Sequence, residues 1–444
     1  MTETCDLLVA GAGPAGLAHA FWRRRARPDL RVLVAEAAPR AGGWVRTVMR
    51  DGWTCEAGPQ GFRPNADSDA LLDALELRDE VVPAAAAAKR RWVVQDGRLV
   101  ALPAGPLQLL TTPLFRFRDL LRLVREPWVP RGGTPDESMS AFLSRRFGPA
   151  TRPLAEAMAH GIFAGDADRL EMRSMFPMAV ECEERHGSVL RGLRRRPRPN
   201  PRPPRRPVLC SLRGGMERSI RALAEALGES VLLGAPVQRV RREGEGYLVD
   251  LGGSRPRRFL AREVALAIPA HAAAGVVAGL DATLAEELRG IRAASVVSVY
   301  VGAPRDAFAA PLDGFGFLAP KHPSPLLGVL MTGALFPEHA PAGHMLLRAM
   351  SGGAEHPDEA ERSDAELLGQ ARHWLGEYLG MRGQPSFVHV ERTRNAIAQY
   401  ESGHAARLAR IAARTAALPG LRLLGASYRQ VSVVGQWAEQ GSHP

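Results

Sequence analysis

Cysteine is scarce in this chain of 444 residues: the four, Cys5, Cys55, Cys182 and Cys210, are widely separated and form no CxxC pair and no Cys/His spacing that would hold zinc. They read as reduced thiols of a cytoplasmic protein. Lysine is scarcer still, with only Lys89 and Lys321 among the 58 basic residues. Long apolar runs are missing as well. The longest uncharged run, Val264 to Leu280, has 17 residues and is broken by Pro269, Gly275 and Gly279, so no transmembrane segment is expected. Met1-Thr2-Glu3 passes straight into Leu7-Leu8-Val9-Ala10 without a basic stretch, so no secretion signal is expected either. A composition of 45% hydrophobic and 24% charged residues excludes wholesale disorder. The length exceeds the roughly 250–300 residues at which one core stops growing, which implies two or three lobes.

The net charge of +11 invites a nucleic-acid reading, but Arg191 to Pro207 alone holds eight arginines, six prolines and no acid. The excess is therefore local, and no nucleic-acid partner is expected. Its prolines exclude a core or a helix, and the tract reads as a solvated, partly polyproline loop. Attraction to anionic lipid or nucleic acid is the alternative for it.

The first 36 residues read strand, glycine turn, helix, strand: Leu7 to Ala10, Leu17 to Arg25, and Arg31 to Glu36. A helix Asp67 to Leu77 follows, then a strand pair Arg91 to Gln95 and Arg98 to Leu102 across Asp96-Gly97. From Pro103 to Met178 the pattern is helical. Within it, Leu114 to Val129 sets Leu114, Phe115, Phe117, Leu120, Leu121, Leu123, Val124 and Trp128 among Arg116, Arg118, Arg122 and Arg125, which suits either a helix packed on the core or one lying in a membrane interface. Beyond the arginine tract come a helix Ser219 to Leu227 and strands Val231 to Val240, Tyr247 to Leu251 and Glu263 to Ile268. A second mixed lobe carries strands Val296 to Val301, Gly314 to Ala319, Leu326 to Thr332 and Met345 to Met350, and a helix Asp364 to Leu379. Leu421 to Gly425 reads as a strand returning to the first domain, which is then built from discontinuous segments.

Gly11-Ala12-Gly13-Pro14-Ala15-Gly16 fits GxGxxG between a strand and a helix, where glycines let backbone N–H groups approach a pyrophosphate at the helix N-terminus. Glu36 closes the second strand 20 residues after Gly16, the distance at which a carboxylate accepts from a ribose 2′-hydroxyl. Together they make a dinucleotide site. Gly42-Gly43-Trp44 gives another close backbone approach, with Arg40 placed to neutralise phosphate, and Gly58-Pro59-Gln60-Gly61 lines a place for a flat ring. No second GxGxxG occurs, so a flavin is favoured over a separate nicotinamide site.

The chain resembles the protoporphyrinogen oxidases, within the FAD-dependent amine oxidase superfamily. The resemblance covers almost the whole length, through Gly11 to Glu36, Gly42 to Trp44, Glu56 to Pro64, Lys89 to Trp92, Gly161 to Asp166, Ser174 to Pro177, Gly214 to Met216, Ala235 to Val237, Gly314 to Leu318, Ala398 to Tyr400 and Val431 to Val433. It implies an α/β architecture: a Rossmann-like FAD-binding domain in segments 1–85, 211–268 and 391–444, a mixed α+β substrate domain in 86–102 and 269–390, and an inserted helical, membrane-associating lobe over 103–210 with the loop 191–207. FAD would contact Gly11 to Gly16, Glu36, Ala37, Arg40, Gly42, Gly43, Trp44, Gly58 to Gly61, Val237, Val431, Ser432 and Val433.

The activity so implied is oxidation of protoporphyrinogen IX to protoporphyrin IX in three two-electron steps on FAD, each reoxidised by oxygen to hydrogen peroxide, in porphyrin and haem biosynthesis. A shaped apolar cavity matters more to such hydride abstraction than an acid/base dyad, and no catalytic side chain or metal is expected. The resemblance makes Arg91 a propionate anchor, Leu318, Leu330 and Met350 the apolar clamp, and Gly161 a backbone contact; by periodicity alone those three apolar residues are simply core. It further implies peripheral membrane attachment, and leaves a homodimer and coproporphyrinogen III as the substrate open. Amine oxidation and a flavin-free binding module working through the arginine tract are the other readings. Two departures stand out: Gln430 replaces the usual glycine before Val431, and with the chain stopping at Pro444 the final helix is expected to be truncated.

Overall fold

The computed structural model of the chain describes residues 2–103, 105, 108, 111–196, 206–320, 323–429 and 431–438. Leu7 to Ala10 are buried on both faces because the strand Thr2–Ala10 lies inside a parallel ladder, between Val32–Ala35 and Arg257–Leu266. The sheet runs Val237–Glu243, Gly246–Leu251, Arg257–Leu266, Thr2–Ala10, Val32–Ala35, Val231–Leu232. The returning strand is Leu421–Leu423, which pairs in parallel with Val264–Leu266 beyond the point where Gly246–Leu251 leaves that strand. One expectation is corrected. Val231 to Val240 is two strands on opposite edges, because Gly234 turns at φ +63° and Pro236 has no N–H to give a ladder. The helix Pro14–Ala26 starts at Gly13 with Pro14 in its first position, where the missing N–H costs nothing, and buries Leu17, Ala18 and Phe21.

The second sheet is ordered Phe387–Ala398, Ala293–Pro304, His344–Gly352, Leu326–Leu330, Gly316–Leu318, Arg91–Gln95, Arg98–Ala101. One face, through Val299, Phe317, Val329, Leu347 and Ala349, packs on Trp374, Leu375 and Tyr378 of the helix Asp364–Leu379. That helix keeps its expected bounds because Ser363 and Glu366 close a capping box at its start. The opposite face carries Leu318, Leu330, Arg348 and Met350 and meets the loop of Gly58 through Arg348. Two expected segment limits shift. The strand Phe387–Ala398 runs through residue 391, and the helices Ala270–Val277 and Ala282–Arg289 pack in the core of the first sheet.

The inserted lobe holds the helices Phe117–Val124, Met139–Phe147, Arg152–Phe163, Pro177–His186 and Val189–Arg195. Leu114 to Val129 is not one helix: Pro127 cannot continue the ladder, and Glu126–Trp128 forms a separate turn. The start of the arginine tract is helical as far as Arg195, before its first proline, while residues 197–205 lie outside the described residues. The lobe is held by a fully buried pair. Arg146 Nε donates to Glu126 Oε1 (2.8 Å) and Nη1 donates to the carbonyl of Val129 (3.0 Å), while Glu126 also accepts from Ser188 Oγ (2.5 Å) and the Val189 N–H (2.9 Å). The last helix, Val433–Trp437, is short, is capped by Ser432, and packs on the helices Pro14–Ala26 and Ala66–Ala74. Gln430 and residues 439–444 lie outside the described residues.

Removing one member of a buried ion pair strands the other. Glu126→Gln is expected to lower the unfolding free energy by about 3 kcal/mol, the low end for such breaks because Glu183 also faces Arg146, as read by chemical denaturation.

Candidate functional site

The glycine turn is set by close approach. A Cβ on Gly16 would lie 2.0 Å from the Gly11 carbonyl oxygen, so only glycine lets the helix start this near the strand. A Cβ on Gly13 would meet nothing within 4 Å, which leaves the first helical turn open where a pyrophosphate approaches the backbone of a GxGxxG turn. Glu36 sits at the rim: its Oε2 accepts from the Ala12 N–H (2.7 Å) and Oε1 from the Ala38 N–H (2.8 Å). A carboxylate offers about four acceptor positions, so two remain for ribose hydroxyls. The loop Gly42-Gly43 lies across the turn, held by the Gly42 N–H on the Ala12 carbonyl (2.7 Å). Arg40 fastens that loop rather than standing free, for its Nη2 donates to the Gly43 carbonyl (2.8 Å) and Nη1 to that of Ala41 (3.0 Å). These residues fit FAD.

The loop that follows is braced from the second sheet. A Cβ on Gly58 would lie 2.1 Å from the Trp44 carbonyl oxygen, so the loop passes directly against the backbone of Trp44 there. Tyr300 O–H donates to the Glu56 carbonyl (2.6 Å), Arg348 Nη1 donates to that of Gly58 (2.8 Å), Arg46 pairs with Glu391, and Gln60 Nε2 lies 3.4 Å from His339 Nδ1. Burial raises the Glu56 carboxyl to about 7, against hydrogen bonds from the Met216 N–H and Thr47. The sheet face beside this loop is half-buried at Leu318, Leu330 and Met350, whereas Phe317, Val329 and Ala349 on the other face are buried. The helix Arg152–Phe163 covers its far side, with Gly161 against Leu318, where a Cβ would meet the leucine at 3.1 Å. His160 anchors that helix, its Nδ1 3.1 Å from the Ala319 carbonyl oxygen and its Nε2 2.9 Å from Glu355.

The profile of flavin containing amine oxidoreductases matches residues 15–437. The chain belongs to this family. Human protoporphyrinogen oxidase is 35% identical over 96% of this chain and 95% of its own length, and the coproporphyrinogen III oxidase of Bacillus subtilis (strain 168) is 26% identical over 96% and 94%. A solved structure, of a candidate protoporphyrinogen oxidase from Exiguobacterium sp. 255-15, superposes with a TM-score of 0.82 at 25% identity over 98% of this chain and 97% of that one. This flavin oxidoreductase therefore uses FAD.

The flavin oxidoreductase brings its expected residues together in two groups. Val237 joins the nucleotide group because the Ala235 N–H donates to the Glu36 carbonyl (2.7 Å) and the Gly234 N–H to that of Ala38 (3.0 Å), and Val433 shares a core cluster with Val45, Phe62 and Trp437. Arg91, Leu318, Leu330 and Met350 share one face of the second sheet, with Gly161 opposite. Sequence reasoning missed Arg348, Tyr300, His160 and His339. Arg348 left a legible signal, a lone charge inside the apolar strand Met345 to Met350.

Gly13→Val fills the open turn without touching another element. The variant is expected to purify without flavin absorbance while its unfolding midpoint equals that of FAD-stripped parent protein, measured by absorbance and thermal denaturation.

Proposed function

We propose that this enzyme oxidises protoporphyrinogen IX to protoporphyrin IX, removing six electrons in three cycles with oxygen as the final acceptor. Bound FAD supplies the two-electron acceptance at each cycle. The observation that carries the reading is an apolar, half-buried sheet face ending in an arginine, next to an FAD cradle, in a chain 35% identical to a protoporphyrinogen oxidase along nearly its full length. Leu318, Leu330 and Met350 exclude water and grip a flat macrocycle. Arg91 takes a propionate: its guanidinium lies 4.5 Å from the Phe315 ring centroid, which fixes its plane, and it has no carboxylate partner among the described residues. Partial desolvation and then the like charge of Arg63 hold its pKa below the usual arginine value, as fits a cation awaiting an anion. Coproporphyrinogen III, with four carboxylates, is the second reading, supported by the 26% identical Bacillus relative.

The visible spectrum, followed anaerobically while protoporphyrinogen IX is added, tests this: the flavin bands are expected to bleach as porphyrin bands rise. A flavin that stays oxidised with protoporphyrinogen and bleaches with coproporphyrinogen III would replace the first reading by the second. Arg91→Ala is expected to raise KM roughly tenfold or more with flavin content intact, the loss of one charge-assisted hydrogen bond.

The helical lobe supports peripheral attachment to a membrane. Phe117 and Trp128 are 76% and 72% exposed, with Leu121 and Val124 beside them and four arginines on the same stretch. Among the described residues no helix is long and apolar enough to cross a membrane. The double variant Phe117→Glu with Trp128→Glu is expected to lose sedimentation with phosphatidylcholine/phosphatidylglycerol vesicles and to keep its turnover in detergent.

A further inference from the structure

Arg348 is 6% exposed, inside a strand whose neighbours Met345 to Ala349 are all buried. A buried cation ordinarily carries a counter-charge, since desolvating an unpaired charge costs several kcal/mol. Among the described residues Arg348 has none in contact. Its Nε donates to Ser298 Oγ (2.9 Å), Nη1 donates to the Gly58 carbonyl (2.8 Å), the Tyr300 ring lies 5.5 Å from its Cζ, and Nη2 makes no hydrogen bond among the described residues. The acid near enough to feel its charge, Glu56, turns its carboxylate to Thr47 and the Met216 N–H instead.

The strand register gives this charge its place. Arg91 pairs with Gly316, Gly316 with Leu330, and Leu330 with Arg348, so the two arginines stand in one row on one face, three strands apart. At about 4.8 Å per strand that is roughly 14 Å. The apolar face thus carries a cation on each side: Arg91 on the strand next to the edge, and Arg348 against the loop of Gly58.

We propose that Arg348 is a positioning residue that also acts electrostatically, fixing the Gly58 carbonyl and supplying the positive charge that offsets the negative charge gained when the bound flavin is reduced. The proposal rests on reading residues 56–61 as the flavin loop. A fixed cation in a low-dielectric site favours the more negative state of its neighbour, so it raises the flavin reduction potential.

The test is the midpoint potential of the FAD-loaded enzyme, titrated anaerobically against a reference dye, in Arg348→Gln, Arg348→Lys and Tyr300→Phe, with FAD affinity and the visible spectrum recorded for each. Arg348→Gln is expected to lower the potential by at least about 30 mV, a tenfold shift in a two-electron equilibrium. Arg348→Lys keeps the charge and is expected to stay within threefold of the parent equilibrium; Tyr300→Phe loosens the same loop without touching the charge and is expected to do likewise. An unchanged potential in Arg348→Gln, with FAD affinity or spectrum altered, would overturn the electrostatic role and leave the loop reading standing. If affinity, spectrum and potential were all unchanged, the loop reading would fall with it. Should Arg348→Gln not fold, a potential lowered equally in Arg348→Lys and Tyr300→Phe would assign the effect to loop geometry and sink the proposal.

Discussion

Everything in this enzyme is arranged around one clearance: the Gly11 carbonyl oxygen stands where any side chain at Gly16 would begin. That contact lets the first helix start directly above the first strand, so its N-terminal N–H groups and the Glu36 carboxylate end at one rim. The later segments are then laid on this rim by backbone hydrogen bonds. Gly42 joins it through Ala12, residues 234–235 through Glu36 and Ala38, and Leu421–Leu423 by pairing with the strand beside it. Segments hundreds of residues apart thus meet at one rim because each supplies a partner for a backbone group that would otherwise be exposed or unpaired.

The second sheet works by having unlike faces. Its outer face is closed by the helix Asp364–Leu379 and holds the aromatic and branched residues of an ordinary core. Its inner face is left half-buried, flanked by the loop 56–61 on one side and the helix Arg152–Phe163 on the other. An apolar face that the protein does not cover for itself is open to a flat apolar ligand. Polar contacts from Tyr300, Arg348, Arg46 and Gln60 brace the loop 56–61 and the segment before it, more rigidly than apolar contact alone would.

The helical lobe solves a different problem. Beside its apolar contacts lies a polar lattice in which Arg146 reaches two carboxylates and several carbonyls at once. With its polar residues turned inward there, the lobe leaves Phe117, Leu121, Val124 and Trp128 outside. The amphipathic stripe thus faces away from the core.

Local spacing settled much of this by itself. The GxGxxG turn, the acid 20 residues later, the capped helix Asp364–Leu379, the hairpin at Asp96-Gly97 and the returning strand at Leu421 are each written in adjacent residues, because caps, glycine turns and buried strands depend on neighbours in the chain. The broken strand at Gly234 and the kink at Pro127 were legible in principle, since both follow from single residues. Arg348 stood out as a lone charge in an apolar strand, but its contacts, like those of Tyr300 and His160, were not legible, because the partners Gly58, Glu56, Ala319 and Glu355 lie roughly 160 to 290 positions away. Nor could periodicity tell Leu330 or Met350 from core. Alternation along a strand assigns a residue to a face, and only the packing of helices and loops around the sheet decides which face is filled by the protein and which is left for a ligand.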